Sequence, residues 1–316
     1  MTKTAKSARQ EPAKSKEAPG GENGFSLIPT VKLIELYAAM VKSRMVVERA
    51  GLLKQKGALA GDLDGNKGRE AAIAGVGVDL LADDTLSPSR CDLVSSVIKG
   101  MALHRMFLRL ASPENGHARK PEKVRFDEDV NVIIPDLNLD AQLDAAREAA
   151  VAHKAAKNGR IVVVTCGEGA SELGCWSKAL AHAGNQELPI VFVWHNDAGD
   201  ARERPVGHNG IASRTPGRSL PVITVDGGDA VAVYRVASES IQRARRLRGP
   251  TLIDCRCEVS HPFAGRANGK HSETRDPIDT METYLMAKGL FSAEMKRNIA
   301  KAFDLELHAA TRFLDR

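Results

Sequence analysis

Two carboxylates and a cluster of glycines in the middle of the chain have the types and spacing of an anion and metal site. Glu168 follows a run rich in β-branched residues, Ile161 to Thr165, and lies within Gly167-Glu168-Gly169. Asp197 closes a second apolar run, Ile190 to Trp194, which ends in His195-Asn196-Asp197. A helical pattern separates them. The order strand, glycine turn, helix, strand is that of one βαβ unit. Glu168 and Asp197 stand 29 residues apart, at the ends of successive strands. In an open parallel sheet, ligands bind outside the carboxyl ends of the strands. Two hard oxygen ligands beside glycine-freed backbone N–H groups suit a magnesium diphosphate. The same residues also read as two solvated carboxylates and a tight turn that needs small residues whatever its ligand.

The elements that must position this pair alternate along the chain. Strands are expected at 161–166, 190–194, 221–225 and 251–255, with helices between them, which indicates an α/β domain with a parallel sheet. Leu33, Leu36, Tyr37 and Met40 recur at i, i+3, i+4 and i+7 in a first helix, with Thr30 as its N-cap. A second helix is expected over 66–82, a third over 92–111, an Ala-rich one over 140–157, and helical structure over 277–315. Gly75-x-Gly77 has no strand before it, so it reads as small-residue helix packing rather than a phosphate loop. Residues 112–130 are polar and rich in turn formers, as in a loop. Residues 1–24 carry almost no large apolar side chains and read as a disordered tail. The remainder, 25–316, reads as a single domain.

Composition narrows the function classes. At 316 residues the chain can bury a sizeable core. A net charge of +5 is small for this length and does not imply nucleic acid. No apolar run approaches the length of a membrane span, and the N-terminus lacks an apolar signal core. Cys91, Cys166, Cys175, Cys255 and Cys257 are odd in number and scattered, which fits reduced thiols in a cytoplasm better than disulfides. Cys255-x-Cys257 has no second Cys/His pair at metal-site spacing.

Several stretches, taken in order, resemble one family. They are the opening helix LIELYAAMVKSRMVVERAGLLKQKG, Gly68-Arg-Glu-Ala-Ala, the segment from Asp83 to Ser89, Ala141-Gln142, the glycine turn of residues 167–174, the thirty-odd residues from Val225, and the stretch from Arg275 to Ser292. Over about 30–315 the chain is similar to the alpha subunit of the dehydrogenase (decarboxylating) component of 2-oxo acid dehydrogenase complexes of the pyruvate, acetoin or branched-chain type. The resemblance implies the thiamin-diphosphate-binding fold: a parallel sheet flanked by helices, with helical N- and C-terminal extensions. It implies thiamin diphosphate and Mg2+ as cofactors, with Glu168 and Asp197 at the two metal positions. Gly167, Gly169 and Ala170 then stand at the diphosphate turn, and Gln142 lies beside the cofactor pocket. Arg90 is nearest to the family's Tyr-Arg pair. His261 and His271 flank the place of an active-site histidine.

This chain departs from that pattern at defined points. Glu168 replaces an Asp, which moves the carboxylate out by one methylene, on the order of 1.5 Å. Asp197 replaces a neutral Asn and adds a negative charge beside an anionic diphosphate. The Tyr of the Tyr-Arg pair is absent and Arg90 lies one residue early. The family's Gly-His-Gly loop is replaced by a stretch holding Asp136, Asp140 and Asp144, where acidic groups repel an anionic cofactor. His261 falls two residues early and His271 later than the family histidine. Two readings from different classes therefore stand. One is an enzyme subunit that completes its site with a beta subunit and passes an acyl group to a lipoyl acyltransferase core, with no nucleic acid or membrane partner. The other is a degenerate paralogue that acts as a scaffold or regulatory subunit. A third, an unrelated α/β binding protein, would lack any beta partner.

Overall fold

The first helix, α1 (Thr30–Gln55), buries Leu33, Leu36, Tyr37 and Met40 completely, as its apolar spacing predicts. Its cap differs from expectation. Thr30 is the first helical residue, and Pro29 takes the cap position with no side-chain hydrogen bond. In the computed structural model the described residues are 28–60, 63, 66–89, 92–111, 125–134, 139–167, 174–196, 220–257 and 275–314. The expected disordered tail lies outside them.

The expected second helix is shorter, α2 (Glu70–Gly77), and every one of its residues is buried. Its glycines act by closeness of packing. A Cβ on Gly75 would stand 2.7 Å from Val233 Cγ1, and one on Gly77 would stand 2.7 Å from Ile98 Cγ2. The third helix divides into α3 (Leu93–Ile98) and α4 (Leu103–Ala111). Gly100, at φ +115, turns the chain between them in a backbone region that other residues avoid. Next come α5 (Leu139–Ala156), α6 (Gly174–Asn185), α7 (Ala230–Arg245), α8 (Pro277–Ala287) and α9 (Ala293–Thr311). The last three begin with side-chain caps, from Asp229, Asp276 and Ser292.

The strands are β1 (Thr85–Ser87), β2 (Phe126–Asp127), β3 (Val132–Ile133), β4 (Val162–Cys166), β5 (Ile190–Asn196), β6 (Val222–Asp226) and β7 (Thr251–Arg256). Among the described residues they form one sheet in the order β2-β3-β1-β4-β5-β7-β6. Every pairing is parallel except β2 with β3. The four strands expected from sequence are the central and right-hand part of this sheet. The short strands β1, β2 and β3 are too brief for an alternation signal, and β2 falls inside the stretch expected to be a loop.

The central strands are apolar without a break because both faces of the sheet are covered. Val163, Val191, Val193 and Ile253 face a core built with α1, α2, α4, α7 and α9. Val162, Val164, Phe192 and Trp194 face the other side, against α5 and α6. Trp176 packs edge-on to Phe192 there, with centroids 5.3 Å apart. A third cluster joins the N-terminal half of α1 to α2 and α8. Among the described residues no helix is long and apolar enough to cross a membrane.

Candidate functional site

The carboxyl ends of β4 and β5 lie side by side, with Cys166 opposite Trp194. Gly167, one residue past β4, and Asn196, the last residue of β5, are the last described residues before the chain's next segments. A Cβ placed on Gly167 would meet no atom of the described residues within 4 Å. Glu168, Gly169, Ala170 and Asp197 lie outside the described residues, as do Arg90, His261 and His271. What is described is the frame from which these residues emerge.

The β1–α3 connection is pinned from both sides. Gln142, on α5, donates its amide to the Pro88 carbonyl at 2.7 Å and to Ser87 Oγ at 3.0 Å. Its side chain is buried and directed at the backbone end of β1. On the other side, Ser89 N–H donates to Thr165 Oγ1 at 3.0 Å. The Thr165 hydroxyl in turn donates a hydrogen bond to Asp92 Oδ2 at 2.7 Å. Asp92 precedes α3 and accepts a further bond from Ser95 Oγ at 2.6 Å. Ser89 and Asp92 are thus both tied to Thr165.

Asp92 is fully buried, and burial pushes its carboxyl above the usual carboxylate range. The Ser95 and Thr165 hydroxyls and the Arg69 charge oppose that push. Arg69 caps the start of α2 and is itself buried. Its neighbour Glu70 is held on two sides: Gly68 N–H donates to Glu70 Oε2 at 3.0 Å, and Arg44 Nε donates to Glu70 Oε1 at 2.5 Å. Arg44 also forks onto Asp276, the cap of α8, at 2.9 and 3.1 Å. One guanidinium therefore ties α1, α2 and α8 together.

His195 sits in β5 between Trp194 and Asn196 and is 1% exposed. Burial, then the nearby Arg69 charge, lowers it to about 3. Its imidazole is neutral near pH 7, and Nδ1 has no hydrogen-bond partner among the described residues. Asn196 turns instead to the sheet, donating to Asp254 Oδ1 at 3.3 Å. Cys166, Cys255 and Cys257 are buried free thiols, and burial holds Cys166 and Cys255 well above the ordinary thiol range. Among the described residues no three His, Cys, Asp or Glu side chains group as a metal site. Asp140 and Asp144 are exposed on α5.

Sequence reasoning missed Arg69, Asp92, Thr165 and His195. The available signal was polarity in the wrong place: a hydroxyl and an imidazole near the ends of otherwise apolar strands. The frame fits a magnesium diphosphate by its chemistry. Two parallel strands end side by side, a glycine follows the first, and the residues that come next in sequence include hard oxygen donors.

Comparison with known proteins gives one consistent likeness. The family described as "Dehydrogenase E1 component" matches residues 37–315. The 2-oxoisovalerate dehydrogenase subunit alpha of Bacillus subtilis (strain 168) is 27% identical over 284 residues, covering 84% of this chain and 85% of that protein. The pyruvate dehydrogenase E1 component subunit alpha of Staphylococcus epidermidis is 27% identical over 299 residues, covering 90% and 78% respectively. The corresponding Staphylococcus aureus subunit is 26% identical over 297 residues, covering 90% and 78%.

Proposed function

The chain belongs to the dehydrogenase E1 component family, and on that premise we propose that it is the alpha subunit of a 2-oxo acid dehydrogenase that binds thiamin diphosphate and Mg2+. The observation that carries this reading is the pair of adjacent parallel strand ends at Gly167 and Asn196, each followed at once by a candidate ligand segment. Glu168 and Asp197 would hold the metal. The backbone N–H groups of Gly167, Gly169 and Ala170 would face the diphosphate, with Arg90 as a further cation. His261 or His271 would hold a proton near the substrate. Gln142, in this reading, sets the position of the Pro88–Asp92 segment and does not touch the cofactor. When bound, the cofactor supplies the electron sink that decarboxylation of a 2-oxo acid requires.

The reading includes a beta subunit that completes the site in a heterotetramer, transfer of the acyl group to a lipoyl acyltransferase core, and a cytoplasmic setting. The test is 2-oxo-acid-dependent release of carbon dioxide by the chain purified with its beta partner. Release that requires both thiamin diphosphate and magnesium is the expected result. No release from any pyruvate-like or branched 2-oxo acid, in a folded and partner-bound sample, would overturn it.

A second reading, a degenerate scaffold or regulatory paralogue, is favoured by one observation. Gln142 stands at the family's pocket-side Ala-Gln, yet its amide is directed to Ser87 and Pro88.

A further inference from the structure

Arg69 is a buried cation, 4% exposed, at the cap of α2. Its backbone is fixed on both sides: its N–H donates to the Asn66 carbonyl, and its own carbonyl accepts from Ile73 N–H. The positive end of a helix dipole lies here, so α2 adds to the Arg69 charge and does not offset it. The adjacent carboxylate, Glu70, is already held by Arg44 Nε and Gly68 N–H.

The Arg69 charge reaches the groups that frame the two strand ends. It acts on Cys166, the last residue of β4, on His195, next to last in β5, and on Asp92, just ahead of α3. Asp92 answers that charge in part, since its two carboxyl oxygens also accept from the Ser95 and Thr165 hydroxyls. A second observation lies at the same place. Side chains alternate along a strand, so the His195 ring shares the sheet face of Val191 and Val193, the face that α2 covers. His195 is buried there, yet its Nδ1 has no hydrogen-bond partner among the described residues. The Ser89 hydroxyl, just past β1, is also buried without one. A guanidinium and two unsatisfied polar groups therefore gather at the carboxyl ends of β1, β4 and β5, which are neighbours in the sheet.

Charge and hydrogen-bonding capacity select the ligand. Donors without acceptors beside a guanidinium call for an anion with several oxygens, and the planar fork of Arg matches a phosphate. Glu168 and Asp197 follow the same strands, and Mg2+ between them would offset their charge. The charge of a diphosphate then has to be met by protein cations.

We propose that Arg69 binds a diphosphate group at the ends of β4 and β5, with the His195 ring and the Ser89 hydroxyl as further donors. This deepens the cofactor reading and rests on it for the source of the diphosphate. No bond is made or broken.

The test is calorimetric titration of the chain purified with its beta partner, using thiamin diphosphate with magnesium and, separately, inorganic diphosphate with magnesium. The unmodified chain is compared with Arg69→Gln and Arg69→Lys, below the melting temperature of each. Arg69→Gln should weaken both ligands by about tenfold or more, as loss of a charge-assisted bond implies. Arg69→Lys keeps the charge and loses the fork, so it should recover part of that loss, which a merely structural role would not produce. If Arg69→Gln does not fold, Arg69→Lys carries the test and should bind both ligands more weakly than the unmodified chain. Thiamin diphosphate binding that the folded variants leave intact overturns the role of Arg69 and leaves the cofactor reading standing. Arg69-dependent binding of inorganic diphosphate, without binding of thiamin diphosphate, upholds Arg69 and overturns the cofactor reading. Binding of neither ligand by the unmodified chain overturns both.

Discussion

Thr165 Oγ1 donates to Asp92 Oδ2 at 2.7 Å, joining the end of β4 to the start of α3 across 73 residues. The same oxygen accepts from Ser89 N–H, so one hydroxyl fixes both the strand end and the segment that carries Arg90. Burial raises the Asp92 carboxyl above its ordinary value of 3.8. The folded chain therefore binds a proton at Asp92 more tightly than the unfolded chain does. The stability tied to that proton is complete below the unfolded value and is lost as pH rises through the folded one. Asp92→Asn removes the titration. Chemical denaturation across pH should show the stability difference moving in the variant's favour as pH rises above 3.8. A difference that does not change with pH would contradict this assignment.

His195 carries the opposite sign. Its folded value of about 3 lies below the ordinary 6.5. Between those values the unfolded chain binds the extra proton, so stability falls as pH drops from 6.5 towards 3. His195→Gln should flatten that part of the acid-unfolding profile. In NMR of the unmodified chain, the His195 ring signals should show no titration between about pH 5 and 8, where a free imidazole titrates. A midpoint near neutrality would show that the ring is solvated or paired.

Gly75 allows α2 to lie against α7. Gly75→Ala places a methyl 2.7 Å from Val233 Cγ1. Overpacking of this kind costs about 1–3 kcal/mol. Val233→Ala in the same chain should recover only part of the loss, because it removes Cγ1 but leaves Val233 Cβ at 2.9 Å and the Tyr234 backbone nitrogen at 3.0 Å from the new methyl. Equal stability of Gly75→Ala and the unmodified chain in denaturant would mean that the helices separate freely.

Gln142→Leu keeps the volume but strands the Pro88 carbonyl. An unsatisfied buried acceptor costs about 1–3 kcal/mol. If Gln142 acts by position alone, Gln142→Leu and Thr165→Val should both weaken cofactor binding, since each frees one side of the same segment. Loss of affinity in Gln142→Leu without loss of stability would instead indicate direct contact.

The fold was largely legible in the chain because its central strands are buried on both faces. Continuous β-branched runs at 161–166 and 190–194 are what a doubly covered parallel strand requires, and the segments between them carry helical periodicity. The short left-hand strands were not legible. Two residues such as Phe126 and Asp127 cannot show alternation, and their pairing with β3 is set by the sheet. The site was legible only in outline. Glu168 and Asp197 could be placed after two strands, but the groups that hold the frame come from remote segments. Nothing local marks Gln142 as a brace for Pro88, or Thr165 as the partner of Asp92, since the meeting is made by β1, β4 and α5 packing together. Gln142 was singled out by resemblance as a cofactor-binding residue, and its bonds to Ser87 and Pro88 were not legible in the sequence.

Glu168 and Asp197 are the residues on which the proposed cofactor site turns. Reverting both towards the family pattern, Glu168→Asp with Asp197→Asn, shortens one carboxylate and removes one charge beside the diphosphate. The most direct measurement is calorimetric titration of thiamin diphosphate with magnesium into the chain purified with its beta partner, for the unmodified chain, Glu168→Ala and the double reversion. Saturable binding to the unmodified chain is predicted, with its loss in Glu168→Ala and tighter binding in the double reversion. Binding that survives Glu168→Ala, or no binding to any of the three in a folded and partner-bound sample, would contradict a cofactor site at these strand ends.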